Sequence, residues 1–149
     1  MLVVLPNKEI ANHWPLFKDV IRECIPITKD MLPDYMTNML ESAMTGRIQL
    51  WLASEGDDFY CALITKKAVD DLTGQRALLI YALKVFRMVP HEARQRDWAA
   101  FRKTARTFGV QRISAYCGSQ AVANAFVNAN GGRGEIIPYA VIELTEEDD

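Results

Sequence analysis

Histidine is nearly missing from this chain: there are two in 149 residues, His13 and His91. Neither has a second ligand at metal spacing, so no metal centre is expected. Cysteine is scarce as well. Cys24, Cys61 and Cys117 are odd in number, far apart and without a CxxC pair. That excludes a disulfide framework and points to free thiols in a reducing compartment, each a small core residue in an apolar context. No apolar run approaches the length of a transmembrane helix, so no membrane partner is expected. The opening "MLVVLP" is too short for a signal peptide and is closed by Pro6. Basic residues are not in excess either. Seventeen Lys and Arg stand against nineteen Asp and Glu, for a net charge of -2, which disfavours bulk electrostatic capture of nucleic acid. There is no GxSxG, no Cys–His arrangement, no internal repeat and no low-complexity linker.

What the chain does contain is an orderly run of amphipathic segments. "LVVL" reads as a short strand. In "NHWPLFKDVIRECI", Trp14, Phe17, Ile21 and Cys24 recur at spacings of three, four and three, and so share one helical face. Asn12 or His13 lies near the start of that helix and Pro15 suits its first turn. "TKDMLPDYMTNMLESAMTGR" repeats the pattern through Met31 or Leu32, Tyr35, Met39, Leu40 and Ala43. Thr28 or Asp30 suits the cap, Pro33 the first turn and Gly46 the stop. "RIQLWLAS" alternates, with Ile48, Leu50 and Leu52 on one face and Trp51 on the other. "EGDD" then turns into "FYCALITKKAV", a hairpin signal. "ALLIYALKVF" is almost continuously apolar, as befits a central strand covered on both faces. The helix after Pro90 carries Trp98, Phe101, Ala105 and Phe108, and Gly109 can end it. "QRISAYC" is a strand, "SQAVANAFVNANGG" a helix capped by Ser119, and "GEIIPYAVIEL" a last strand or strand pair broken near Pro138.

The order β-α-α-β-β-β-α-β-α-β, with a long fourth strand leading into "VPHEARQRDWAAF", resembles the GNAT superfamily of N-acetyltransferases over nearly the whole chain. The likeness is carried by that order, by "VPHEARQRDWAAFRKTARTFGVQRISAYC" and by the helix ending in "NANGG". More narrowly, "GRIQLWLA", "LITK" and the later strand–helix pair look like the GNAT-like proteins encoded in tailed-phage structural gene clusters. The resemblance implies an α/β single-domain fold over residues 1–149, with an acidic tail from about 145. Its sheet is mixed and mostly antiparallel with one parallel pair, flanked by about four helices. "ALLIYALKVF" and "QRISAYC" would be the parallel neighbours, joined by a right-handed crossover and splayed at one end.

In that superfamily the helix start after the fourth strand holds the pyrophosphate of acetyl-CoA on backbone N–H groups, in the pattern V-x-P-x-x-R-G-x-G-x-G/A. Glycine there allows close approach. Aligned on Arg94, the glycine positions fall on Gln95 and Asp97, and the Gly/Ala position on Ala99. Asp97 adds bulk and a like charge, a repulsion on the order of several kcal/mol at intermediate dielectric. Pro90 and Glu92 make an ordinary helix start instead. Arg94, Arg96, Arg102, Lys103 and Arg106 then form a basic, mostly solvated face. If acetyl-CoA binds, Arg94, Arg96 and Ala99 are the residues placed to hold it, the arginines through their side chains.

The positions for acid and base are equally bare. Many family members protonate the leaving thiolate with a tyrosine, and the matching position here is near Phe126, which has no proton to give. "ALLIYALKVF" holds no carboxylate. Tyr81 and Tyr116 are the remaining phenols, and a strand tyrosine is usually packing. "GGRG" at Gly131–Gly134 follows a helix and precedes a strand, the wrong polarity for a phosphate loop. The sequence thus leads to a degenerate, non-catalytic GNAT-fold protein with protein partners and no cofactor. The narrower likeness implies a phage virion or assembly component, located in the virion or the cytoplasm. The alternative is an acetyl-CoA-dependent N-acetyltransferase with an atypical pyrophosphate loop. Arg102 and Arg106 are candidate interaction residues, and Met36, Met39 and Met44 would be others if they point outward.

Overall fold

Alternating apolar residues in "RIQLWLAS" and "FYCALITK" produce a hairpin, and that hairpin is the centre of a computed structural model describing residues 1–25, 33–117, 119–136 and 144. The chain clusters into two units, Met1–Tyr116 and Cys117–Asp149. In the first, β1 (Leu2–Val4) is followed by α1 (Asn7–Cys24) and α2 (Tyr35–Met44). Then come β2 (Ile48–Glu55), β3 (Asp58–Val69), β4 (Arg76–Val85), α3 (His91–Thr107) and β5 (Arg112–Ala115). The strands lie in sequence order, with β1–β4 antiparallel and β4–β5 parallel. This is the mixed, mostly antiparallel sheet with one parallel pair expected from the sequence. The second unit contributes α4 (Gln120–Ala129), whose Ser119 hydroxyl accepts from the Val122 amide at 3.2 Å, as a capping serine does. The expected last strand falls on residues 137–143 and the acidic tail on 145–149. Like Thr28 and Asp30, they lie outside the described residues.

The period of two in β2 separates the sheet into two faces. Ile48, Leu50 and Leu52, with Ala62, Ile64 and Ala82, form one core with Ile10, Phe17, Val20 and Ile21 of α1 and Ala43 of α2. Trp51 faces α3, its ring 4.9 Å from Phe101 and 6.0 Å from Phe108. Trp51, Phe17 and Phe101 are fully buried, and each such side chain contributes about 1.5–3 kcal/mol or somewhat more for the largest. A buried polar chain runs beneath α3. Trp51 Nε1 donates to Thr65 Oγ1 at 2.8 Å, the Thr65 hydroxyl donates to Gln49 Oε1 at 2.8 Å, and Gln49 Nε2 donates to the Gly46 carbonyl at 3.2 Å.

Two helix starts differ from the expected ones. The first helix begins at Asn7 behind an extended Pro6, so Pro15 lies inside it rather than in its first turn. Ile10 is buried and extends the apolar stripe a turn upstream, while Pro15 is exposed, where water can satisfy the carbonyl its ring leaves unbonded. The second helix begins at Tyr35, and Pro33 and Asp34 form the turn before it. β4 also departs from the both-faces reading. Leu78, Ile80 and Ala82 are buried, but Tyr81, Leu83 and Val85 are exposed, because β5 accompanies only its first half.

Candidate functional site

The start of α3 is where sequence reasoning placed a cofactor grip, and its geometry follows from where the helix begins. Pro90 is extended (φ -54, ψ 148) and His91 is the first helical residue. Ala93 and Arg94 both donate their amides to the Pro90 carbonyl, at 3.1 and 3.3 Å. Gln95, Arg96 and Asp97 therefore lie a full turn inside the helix, where each amide bonds the carbonyl four residues back. The amides of Gln95, Arg96 and Asp97 are thus spent within the helix. The side chains at these positions do not replace them. Arg96 donates to Glu55 Oε2 at 2.9 Å and to Asp97 Oδ1 at 3.3 Å. Arg87, in the loop before the helix, donates to the Glu55 and Asp58 carbonyls at 2.8 and 3.2 Å. Both cations are held by the β2–β3 turn. Arg94 and Ala99 are exposed, and Arg94 forms no ion pair among the described residues. The residues present thus do not fit the pyrophosphate of acetyl-CoA in the way a glycine-rich start would.

Asp97 does not face a phosphate position at all. It is 4 % exposed and turned to the sheet, in line with Ala93, Phe101 and Ala105 on the buried side of α3. Tyr60 Oη donates to its Oδ2 at 2.5 Å, Arg96 pairs with it, and the Met1 amino group is 3.6 Å from Oδ1. Burial alone would raise the Asp97 pKa. The hydrogen bonds from Tyr60 and Arg96, with the charges of the Met1 amino group and Arg96, outweigh it and hold the carboxyl below its ordinary value. The phenol of Tyr60 moves the other way: burial, then its bond to Asp97, push it well above the usual range. The Cys61 thiol is pushed up to about 12, by burial and then by Asp97. The Cys24 thiol is also raised, by burial and then Glu23, against the pull of Lys84. None of these described thiols or phenols is a ready nucleophile or base at neutral pH.

A β-bulge explains how Tyr60 reaches α3. Ala53 pairs with Cys61 but Ser54 pairs with Phe59, so Tyr60 has no partner in the ladder. The extra residue turns Tyr60 toward the α3 face beside Cys61. Spacing alone would have put Tyr60 with Ala62 and Ile64 against α1. A second bulge sits at Tyr81, between the Ile64–Ala82 and Thr65–Ile80 pairs. β5 ends with the last parallel pair, Ile80–Ala115, while β4 continues to Val85. Tyr81, Leu83 and Val85 are exposed on that unpaired half of β4.

The remaining sequence candidates are scattered. Arg102 is half-buried with its guanidinium 5.8 Å from the Trp98 ring, and Arg106 is exposed one turn on. Met36 and Met39 pack on the core, leaving Met44 as the exposed methionine of α2. Tyr116 is 64 % exposed just past β5, and Phe126 is half-buried on α4. Among the described residues no group of three or more His, Cys, Asp and Glu is gathered as a metal would need. No described helix is long and apolar enough to cross a membrane. Sequence reasoning missed Tyr60 and Glu55 as partners of α3. One signal was available for Asp97: it stands four residues from Ala93 and four from Phe101, on the buried stripe.

No family model matches this sequence, and no curated protein matches it. Solved structures do. The chain is similar to a probable acetyltransferase with a TM-score of 0.67 at 14% identity, over 98% of this chain and 99% of that one. It is similar to a GNAT family acetyltransferase from Staphylococcus aureus with a TM-score of 0.63 at 11% identity, over 97% of this chain and 98% of that one. A third likeness is to AAC(6')-Iy in complex with the bisubstrate analogue CoA-S-monomethyl-acetylneamine. There the TM-score is 0.67 at 9% identity, over 98% of this chain and 97% of that one. At such identities the likeness concerns the fold: this chain has the GNAT fold.

Proposed function

We propose that this chain uses the GNAT fold as a protein-binding scaffold and does not catalyse acetyl transfer. The observation that carries this reading is the placement of Gln95–Asp97 inside α3, with Asp97 bound to Tyr60 and Arg96 rather than replaced by glycine at an open helix start. The depth of that change supports a site that no longer has to admit a pyrophosphate. Its partner is a protein. The likeness of "GRIQLWLA" and "LITK" to GNAT-like proteins of tailed-phage structural gene clusters makes virion and assembly proteins the first partners to test, with a virion or cytoplasmic location following from that.

Calorimetric and thermal-shift titrations with CoA and acetyl-CoA test the reading directly. A ligand at a thousand times its Kd stabilises the fold by about 4 kcal/mol, so micromolar binding is unmistakable at millimolar ligand. No heat and no shift are expected. A second reading has one observation in its favour, the open half of β4 beyond Ile80. In that reading the chain is an acetyl-CoA-dependent N-acetyltransferase, with Arg94, exposed and in no ion pair among the described residues, near the loop. Saturable CoA binding would favour it over the scaffold.

A further inference from the structure

The scaffold reading raises the question of where a partner protein docks, and the inference that follows rests on that reading. β3 pairs with β4 up to Val85, and the Phe86 amide donates to the Tyr60 carbonyl at 2.7 Å. By the alternation of an antiparallel ladder, Ala82, Lys84 and Phe86 turn their backbone groups to β3, and Leu83 and Val85 turn theirs away from it. On that outer side β5 has already ended, at Ala115. Among the described residues the Leu83 carbonyl accepts from Cys24 Sγ at 3.4 Å. Among the described residues the Leu83 amide and both backbone groups of Val85 have no partner.

The side chains do not guard this edge. Natural edges are blunted by charge, proline or covering loops. Here Leu83 and Val85 are 47 % and 54 % exposed and share a face, opposite Leu63 and Cys61 in the register. The lysine between them, Lys84, is paired with Glu23 and turned to the α1 side. Exposed apolar side chains at every second position, beside backbone donors and an acceptor at strand spacing, match an extended amide-bearing chain, which on the scaffold reading is another polypeptide. Its main chain supplies the complementary groups, and its own alternate side chains cover Leu83 and Val85.

We propose that an extended, apolar-alternating segment of the partner protein adds to β4 as a strand along Leu83–Val85. The Cys24 thiol is a weak donor and occupies the Leu83 carbonyl until the incoming amide takes it.

A random dodecamer peptide library panned on the intact protein supplies the probe, and the enriched peptide is then titrated into variants. Val85→Pro deletes an outward amide without breaking the β3 ladder. Leu83→Lys with Val85→Lys charges the same edge with the backbone intact, and covers the case in which the proline variant fails to fold. Enriched peptides should carry apolar residues at alternate positions. Their affinity should fall at least tenfold in either folded variant, and hydrogen exchange at the Leu83 and Val85 amides should slow on binding. The proposal is overturned if no peptide is enriched, or if the enriched peptide binds the variants as tightly as the parent. Slowed exchange at these amides with CoA and not with peptide would assign the edge to a pantetheine chain and overturn the scaffold reading as well. Loss of the peptide result alone, with CoA still not binding, leaves that reading standing and moves the interface elsewhere.

Discussion

Tyr60 on β3 donates its phenolic proton to Asp97 on α3 across 2.5 Å, and this bond holds a carboxylate inside the protein, 4 % exposed, against the sheet. The pair ties the crossover helix to the sheet one turn below Phe101. It also joins Arg96, Glu55 and the start of β1 to the same point.

Tyr60→Phe should destabilise the fold by about 1.5–3 kcal/mol, the value of a hydrogen bond to a charged group, with Asp97 left partly unsatisfied. Urea unfolding should show a lower midpoint and an unchanged slope. An unchanged midpoint would mean that the bond contributes nothing net.

The same cluster sets the pH dependence. Asp97 lies below its ordinary 3.8 in the folded protein, so its contribution is present above about that pH and is lost as pH falls through the folded value. Cys61 is raised from 9.0 to about 12, and Tyr60 is raised from 10.0. Their contributions are present below pH 9 and are lost as pH rises from there. Urea midpoints should therefore be flat between about pH 4 and 9 as far as these groups are concerned, and fall on both sides. Cys61→Ala should shrink the alkaline loss, and Tyr60→Phe both the acid and the alkaline one. If both limbs are unmoved, other groups carry them.

Asp97→Gly is a severe change here, although at an exposed helix position it would cost about 1 kcal/mol. It removes a buried acceptor from Tyr60 and adds a helical glycine, so a loss of about 2–4 kcal/mol is expected. It should not create CoA binding, because the amides of residues 95–97 remain bonded within α3. A CoA thermal shift in the variant would show that only the side chain had closed the site.

Thr65→Val should cost about 2–4 kcal/mol by leaving Trp51 Nε1 and the Gln49 carbonyl oxygen without their shared partner in a buried place. Thr65→Ser keeps the hydroxyl and should recover most of this. Equal losses in the two variants would point to packing of the methyl group instead.

Arg106→Glu tests the basic helix as an interface. Arg106 is exposed, so stability should change by less than about 0.5 kcal/mol. Arg102→Glu should cost somewhat more, because its guanidinium lies over Trp98. Retained assembly in the Arg106 variant would remove α3 from the interface and leave the β4 edge.

Local chemistry was enough to place the main elements. The alternation of Ile48, Leu50 and Leu52 against Trp51 assigned both faces of β2, and Ser119 marked the start of α4, because each signal is complete within a few residues. Gly46 likewise marked the end of α2, where its φ of 78 is readily reached only without a Cβ. The order of those elements, and the parallel pair around α3, followed from the same short-range patterns. What Asp97 does could not be read that way. Its partner lies 37 residues away and reaches it only because a bulge turns Tyr60 to the other face of β3, and a bulge is a property of the register between two strands. The open edge of β4 is of the same kind. "ALLIYALKVF" is apolar along nearly its whole length, but which half is covered depends on where β5 stops pairing, and that is decided by the packing of the whole sheet.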